Sequence, residues 1–282
     1  MNKFAIFCND FLHNKTGLRV DKETLFSSCR VMRDLRLLFV LGRAELVSMF
    51  GATAFGAFWQ PASLAVTIFG IAVIFGNLFN NTALDRYVPF ICASMILWTM
   101  LSATLNELAE CFSQNQSHIT TRYHDLIIFP ARAWSKNVLQ LLLNLPIMFV
   151  VIFAFDVEFS PLSLISLIYG LFTFIFSVFS LGLIFSIFGS KFTDFGNVVK
   201  NALQILFFLT PVMWQTENFR HKWIYEYNPL YHLLELVRKP LLHGQDVVWH
   251  TYFWGTLIML SLGFIALLFW SIFSWRIHYH TR

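Results

Sequence analysis

Five aromatic side chains gather in one short polar connection of this chain: Trp214, Trp223, Tyr225, Tyr227 and Tyr231. Flat rings of this kind stack on the C–H faces of sugars without gripping them, which suits a surface along which a glycan slides. The structural use of the same residues is the interfacial belt, where Trp and Tyr sit at the level of lipid headgroups. Little else in the sequence could do chemistry. His118, His124 and Asp125 are the one His/carboxylate group, and they lie within or directly after the polar run Ser117–Tyr123, so a solvated surface is favoured over a metal site. There is no HExxH, no GxSxG and no phosphate-binding G-x-x-x-x-G-K-[ST]; the "FGSK" at Phe188–Lys191 lacks the glycine spacing. Cys8, Cys29, Cys92 and Cys111 show no CxxC spacing and predict no disulfide framework. No catalytic residue, no metal and no cofactor is expected in this chain.

The elements that must position the aromatic residues are set by composition. Of 282 residues, 57% are hydrophobic and 13% are charged, against about 25% charged in soluble domains. Long uncharged runs at Leu46–Leu84, Tyr87–Asn106, Asn137–Phe155, Phe159–Ser190, Asn201–Thr216 and Val247–Trp275 are read against the ~18 apolar residues a spanning helix needs. The fifth run is short and reaches Phe195 if Lys200 snorkels. The reading is an all-α integral membrane fold with six spans, at about 55–79, 87–108, 137–156, 162–188, 195–214 and 249–273. Placing both termini in the cytoplasm leaves fifteen of the 20 Lys and Arg on that side, as positive charge requires. The net charge of +4 is therefore topology signal, and nucleic-acid binding is disfavoured.

Residues 1–29 read as a weakly structured cytoplasmic extension, expected to stay in the mature protein because no signal-peptide pattern precedes the first span. From about 30 to 45 an amphipathic helix is predicted. Val31, Leu35, Leu38 and Leu41 form its apolar stripe, while Arg30, Arg33, Arg36 and Arg43 fall mostly off it. Such a helix lies on anionic headgroups or packs on a cytoplasmic partner. Pro146 sits in mid-span and should kink the third helix. Glu107, Glu110, Asp194 and Lys200 fall near predicted membrane boundaries and form no buried carboxylate chain, so any driving energy must come from elsewhere.

The connection Gln215–Asp246 carries the aromatic cluster and also Arg220, Lys222, Arg238 and Lys239, which lie on the outer side against the charge rule. Asn228-Pro229 is a helix start, and Leu230, Leu233, Leu234, Val237 and Leu241 make one apolar stripe before a stop at Gly244. His232, Glu235 and Lys239 fall opposite and are expected to face water. At about 20 Å this helix is too short to cross. With a second short helix in Glu217–Tyr227 it would form a re-entrant hairpin, or an amphipathic loop lying on the outer surface.

In this order along the chain, "LGRAELVSMFGATAFGAFWQP" (Leu41–Pro61), "HDLIIFPARAW" (His124–Trp134), "LTPVMW" (Leu209–Trp214) and "YNPLYHLLELVRKPLL" (Tyr227–Leu242) resemble the permease subunits of type 2 ABC exporters. The likeness is to those that move O-antigen, capsule or teichoic-acid polymers. It implies that residues 30–282 are the exporter's transmembrane domain in a bacterial inner membrane. It also implies a half-transporter: two copies pair, and two separate ATPase chains bind ATP and Mg from the cytoplasm. The loop Glu107–Lys136, with Arg122, Tyr123, His124, Phe129 and Pro130, would couple to the ATPase, helped by the Arg30–Glu45 helix. The short helices before the last span would form an outer gate, and a lipid-linked polysaccharide would be the cargo. A small amphipathic drug or lipid as cargo, or a non-transporting membrane scaffold, are the alternatives.

Overall fold

A computed structural model describes residues 34–50, 56–78, 84–116, 126–157, 161–216, 222–243 and 249–280. Arg30, Arg33, Arg122, Tyr123 and His124 lie outside the described residues, as do the 1–29 extension and the His118/His124/Asp125 group. The elements run α1 (Leu35–Phe50), a 3-10 turn (Gly56–Phe58), α2 (Trp59–Leu78), α3 (Leu84–Gln114), α4 (Ile128–Ala154), α5 (Pro161–Lys191), α6 (Phe195–Leu209), α7 (Trp223–Glu226), α8 (Pro229–His243) and α9 (Trp249–His280). Among the described residues there is no strand.

Among the described residues, five stretches are long and apolar enough to cross a bilayer: Gly56–Ile74, Asp85–Gln114, Ile128–Ala154, Ser163–Lys191 and Trp249–Phe273. The fifth of the six predicted spans is shorter than expected. Its helix, α6, is apolar but ends at Leu209 after 15 residues, about 22 Å against a hydrocarbon core of about 30 Å. The stop has a local cause. Thr210 precedes Pro211, and the proline ring pushes Thr210 out of the helical region to φ −91°, ψ 136°.

The bundle is built around α3, which packs against α2, α4, α5, α6 and α8. Ile91, Cys92, Leu101 and Leu108 on α3 have no exposed surface. Lipid tails offer no hydrophobic drive for helices to associate, so close approach through small residues must supply dispersion contact instead. On α5, Gly189 meets the Ala109 carbonyl of α3 so closely that any Cβ would overlap it; Gly170 meets the Leu236 carbonyl of α8 in the same way. Polar pairs add to the α5–α9 seam, where Tyr252 donates to Ser166 Oγ and Tyr169 shares a hydrogen bond with Thr256, both at 2.5 Å.

The helix expected at 30–45 is found at Leu35–Phe50, five residues further on at its end. Leu38 and Leu46 are buried and Arg36 and Arg43 are exposed, but Phe39, Val40 and Val47 are exposed as well, so the split between the faces is partial. Its apolar side packs on α4 of the same chain, where a Cβ on Gly42 would come within 2.8 Å of the Ser135 carbonyl carbon. α4 runs through Pro146 as one helix.

Candidate functional site

The predicted start of α8 is present in atomic detail. Asn228 Oδ1 accepts the Leu230 N–H at 3.0 Å, and Asn228 Nδ2 donates to Thr210 Oγ1 at 2.9 Å, tying the cap to the end of α6. The helix is then wedged between α3, α5 and α9. Leu236 sits on Gly170, nine residues into α5, and on Gly255, six residues into α9; Arg238 reaches Ser94, ten residues into α3. Along α3 ten residues are about 15 Å of helix.

This wedging overturns the expectation that the polar face of α8 meets water. His232 is 5% exposed and Glu235 5%, while Lys239 alone of the three is partly open. The physical reason is Arg238. It forms an ion pair with Glu235 one turn back, donates to Pro211 O at 2.6 Å and to Ser94 Oγ at 3.1 Å, and lies 4.3 Å over the Phe90 ring. Lys239 adds a second cation 3.4 Å from Glu235. A buried carboxylate with two cations and a buried guanidinium with four kinds of partner satisfy the condition under which charge leaves water. Burial pushes the Glu235 carboxyl up, but Arg238 and then Lys239 outweigh it and hold the group below its ordinary range. The charge anomaly is thereby reduced, since a paired internal Arg238 is no topology signal.

The aromatic group divides. Trp214, Tyr225 and Tyr231 form a continuous chain of edge-to-face rings, with centroids 6.3 Å and 5.0 Å apart, and Tyr225 is buried. Trp223 and Tyr227, which are 63% and 85% exposed, project away from it. The helix expected across Glu217–Tyr227 is found as the four residues of α7; Phe219 lies outside the described residues. The ring contacts continue through His232 to His250 and Trp254 of α9, which the sequence reading did not include. His250 and Trp254 are spaced i, i+4 on one helix face, a signal that was present but not used. Inside this group His232 Nε2 bonds the Glu226 carbonyl at 2.7 Å, and burial lowers its proton affinity. Tyr87 fixes the other flank by donating to Met213 O at 2.9 Å.

At the opposite end of the bundle, Phe129 and Pro130 are buried in the first turn of α4 rather than in a loop. Phe129 meets Phe112 edge to face, and Phe112 stacks on Trp270 of α9. Around them Lys136 is ion-paired with Glu107, and Asn137 Nδ2 donates to the same carboxylate at 2.9 Å. Arg132 bridges Glu45 of α1 at 3.1 Å and Asn115 at 3.1 Å. Glu107, read as a boundary charge, is thus part of the packing that seats α1 and α4.

A further feature lies on α6. Gly196, Val199 and Leu203 bury a narrow stripe against the bundle, leaving most of the helix unpartnered. Its open surface has two halves. Val198, Ala202, Ile205 and Leu209 are apolar; Asn197, Lys200, Asn201 and Gln204 are polar and exposed, and their side chains make no hydrogen bond or ion pair with the described residues. The i, i+3, i+4, i+7 spacing of the polar set is legible in the sequence, where Lys200 by itself reads as a boundary charge. Among the described residues no cluster of three or more metal-ligating side chains could hold an ion.

Among the described residues, five helices long and apolar enough to cross a membrane and a wedged short helix before the last of them define a multi-pass helical membrane architecture. The family model for the ABC-2 type transporter matches residues 36–242, and the chain belongs to that family. Membrane domains of this family are permease components of transporters and typically work with an ATPase partner. No curated protein matches the chain.

Proposed function

We propose that this chain is the permease half of an ATP-driven exporter for a lipid-linked polysaccharide, assembled from two copies with two ATPase chains. The observation that carries it is the unpartnered polar half of α6. Asn197, Lys200, Asn201 and Gln204 would each lose hydration without compensation if they faced lipid. Two copies meeting across α6 convert that half into the wall of a polar path, wide in hydrogen-bonding capacity and suited to hydroxyl-rich cargo. With α6 completing its crossing through Thr210–Trp214, the chain has six spans and both termini in the cytoplasm.

In the same reading α1 lies at the cytoplasmic headgroups with Arg36 and Arg43 outward. The segment around Arg122, Tyr123 and His124 meets the ATPase, and Phe129 and Pro130 pass its movement into α4. The α7–α8 pair enters about one leaflet from the outside and gates the exit, where exposed Trp223 and Tyr227 meet sugar. An amphipathic drug or lipid as cargo would leave the polar half of α6 without a use.

The test is export in cells carrying the paired change Asn201→Leu and Gln204→Leu. Loss of surface polymer with normal protein level and membrane insertion supports the reading. Undiminished polymer removes α6 from the path, and a deletion strain that keeps its polymer but becomes drug-sensitive decides for the small cargo.

A further inference from the structure

Between α3, α4, α5 and α8 lies a cavity of about 570 Å³, independent of the α6 face and of the cargo. Leu97, Met148, Leu167 and Val237 are among its walls, and the exposed Phe149 and Phe153 form its rim. Every lining residue is apolar but one, Asp156. That residue is where α4 stops. Val157 N–H bonds the Ile152 carbonyl at 3.1 Å and Phe155 N–H the Val151 carbonyl at 3.1 Å, with Asp156 between them at φ 46°. This six-to-one closure ordinarily takes glycine at the left-handed position. A side chain there carries a conformational cost of about 1–2 kcal/mol. The same turn sets a carboxyl side chain in the lining of an otherwise apolar cleft.

We propose that this cleft holds one hydrocarbon chain of an aminophospholipid of the surrounding bilayer, with the ammonium headgroup against Asp156. A cleft lined by apolar side chains and open toward hydrocarbon fills with whatever chain can enter from the side. Exposed Phe149 and Phe153 leave that side open. Charge selects the headgroup: Asp156 supplies the one acidic side chain in the lining, and the segment Asp156–Pro161 contains no Lys or Arg to balance it. An anionic lipid, or a lipid-linked sugar pyrophosphate, would bring phosphate to a carboxylate with no cation between them. A second copy of the chain is a poorer occupant, because the unsatisfied polar surface that calls for a partner is on α6, and α6 contributes nothing to the cleft.

The experiment uses the full chain in nanodiscs containing equal phosphatidylethanolamine and phosphatidylglycerol, with co-purified lipid counted by mass spectrometry after delipidating washes. Wild type is expected to retain phosphatidylethanolamine selectively. Asp156→Asn should reduce the preference by about two- to fivefold, the scale of one exposed ion pair, without changing thermal stability. Leu167→Trp should abolish retention by filling the cleft; if that variant does not fold, the Asp156→Asn ratio alone decides. Equal retention of the anionic lipid, or a ratio unmoved in Asp156→Asn, overturns the headgroup assignment. Retention of no lipid, or cross-linking of Phe153→Cys between two copies, overturns the site.

Discussion

Arg238 and Ser94 are 144 residues apart and meet at 3.1 Å, so that a charged side chain on the short helix α8 is hydrogen-bonded into the central helix α3. With Glu235 on the same helix and Pro211 O at the end of α6, this contact makes one guanidinium the joint of three elements. Any outward movement of α8 must break the bonds to Ser94 and Pro211 O together, while the Glu235 pair travels with the helix.

Replacing Arg238 with Ala should therefore release α8, because Glu235 would be left buried without its main partner. Uncompensated burial of one member of such a pair costs about 3–5 kcal/mol. Hydrogen exchange of the α8 amides should speed up by at least a hundredfold while α3 amides change little. The double change Glu235→Leu, Arg238→Met removes both charges and should recover most of the protection. Equal damage from the double and single variants would show that the pair is not what holds α8.

His232 makes the same helix sensitive to acid. Burial lowers its proton affinity first, and His250 and Lys239 act in the same direction, against the Glu226 carbonyl and Glu235. Trp254 stacks on the ring. A histidine whose folded pKa lies below its unfolded value near 6.5 binds more protons when unfolded, so stability is present above about pH 6.5 and is lost as pH falls toward the folded pKa. Exchange at α8 should accelerate from pH 7 to 5.5 in wild type. In His232→Phe, which keeps the stacking and cannot titrate, that acceleration should be absent.

Burial also decides which positions a reagent reaches. Tyr227→Cys, at a site 85% exposed, should react rapidly with an aqueous maleimide, whereas His232→Cys and Glu235→Cys should be protected by at least tenfold. Uniform labelling of the three would mean that α8 lies on the surface rather than between α3, α5 and α9.

How much of this was legible beforehand follows from what hydropathy can report. Runs such as Phe159–Ser190 give long helices almost regardless of context, because every backbone group in lipid must be satisfied within the segment. The cap at Asn228 and the helix after Pro229 were legible too, since they depend on neighbours in sequence. The error over His232 and Glu235 has a different origin. A polar stripe facing water and one facing a complementary buried partner have the same periodicity, and the partners here, Ser94 and Pro211 O, lie 144 and 27 residues from Arg238. The same limit hid the α6 stripe: the residues were readable, but that nothing among the described residues covers them was not. Likewise Phe129 and Pro130 fall in a loop-like stretch of sequence, and only the distant Phe112 and Trp270 turn them into the foot of α4.

The joint between α1 and α4 separates two kinds of contact by magnitude. Glu45 and Arg132 are 3.1 Å apart, but about a third of each side chain is exposed, so their pair is worth less than about 1 kcal/mol. Gly42 is different. A Cβ there would lie 2.8–3.0 Å from the backbone of Ser135 and Lys136, which cannot move aside as a side-chain tip could. Overpacking of that kind costs about 1–3 kcal/mol or more and acts directly on helix separation. Glu45→Gln should therefore leave a disulfide engineered across the α1–α4 contact forming at near its normal rate. Gly42→Val should slow it severalfold and expose α1 to protease. The reverse order of effects would place the ion pair, rather than close backbone approach, in charge of seating α1.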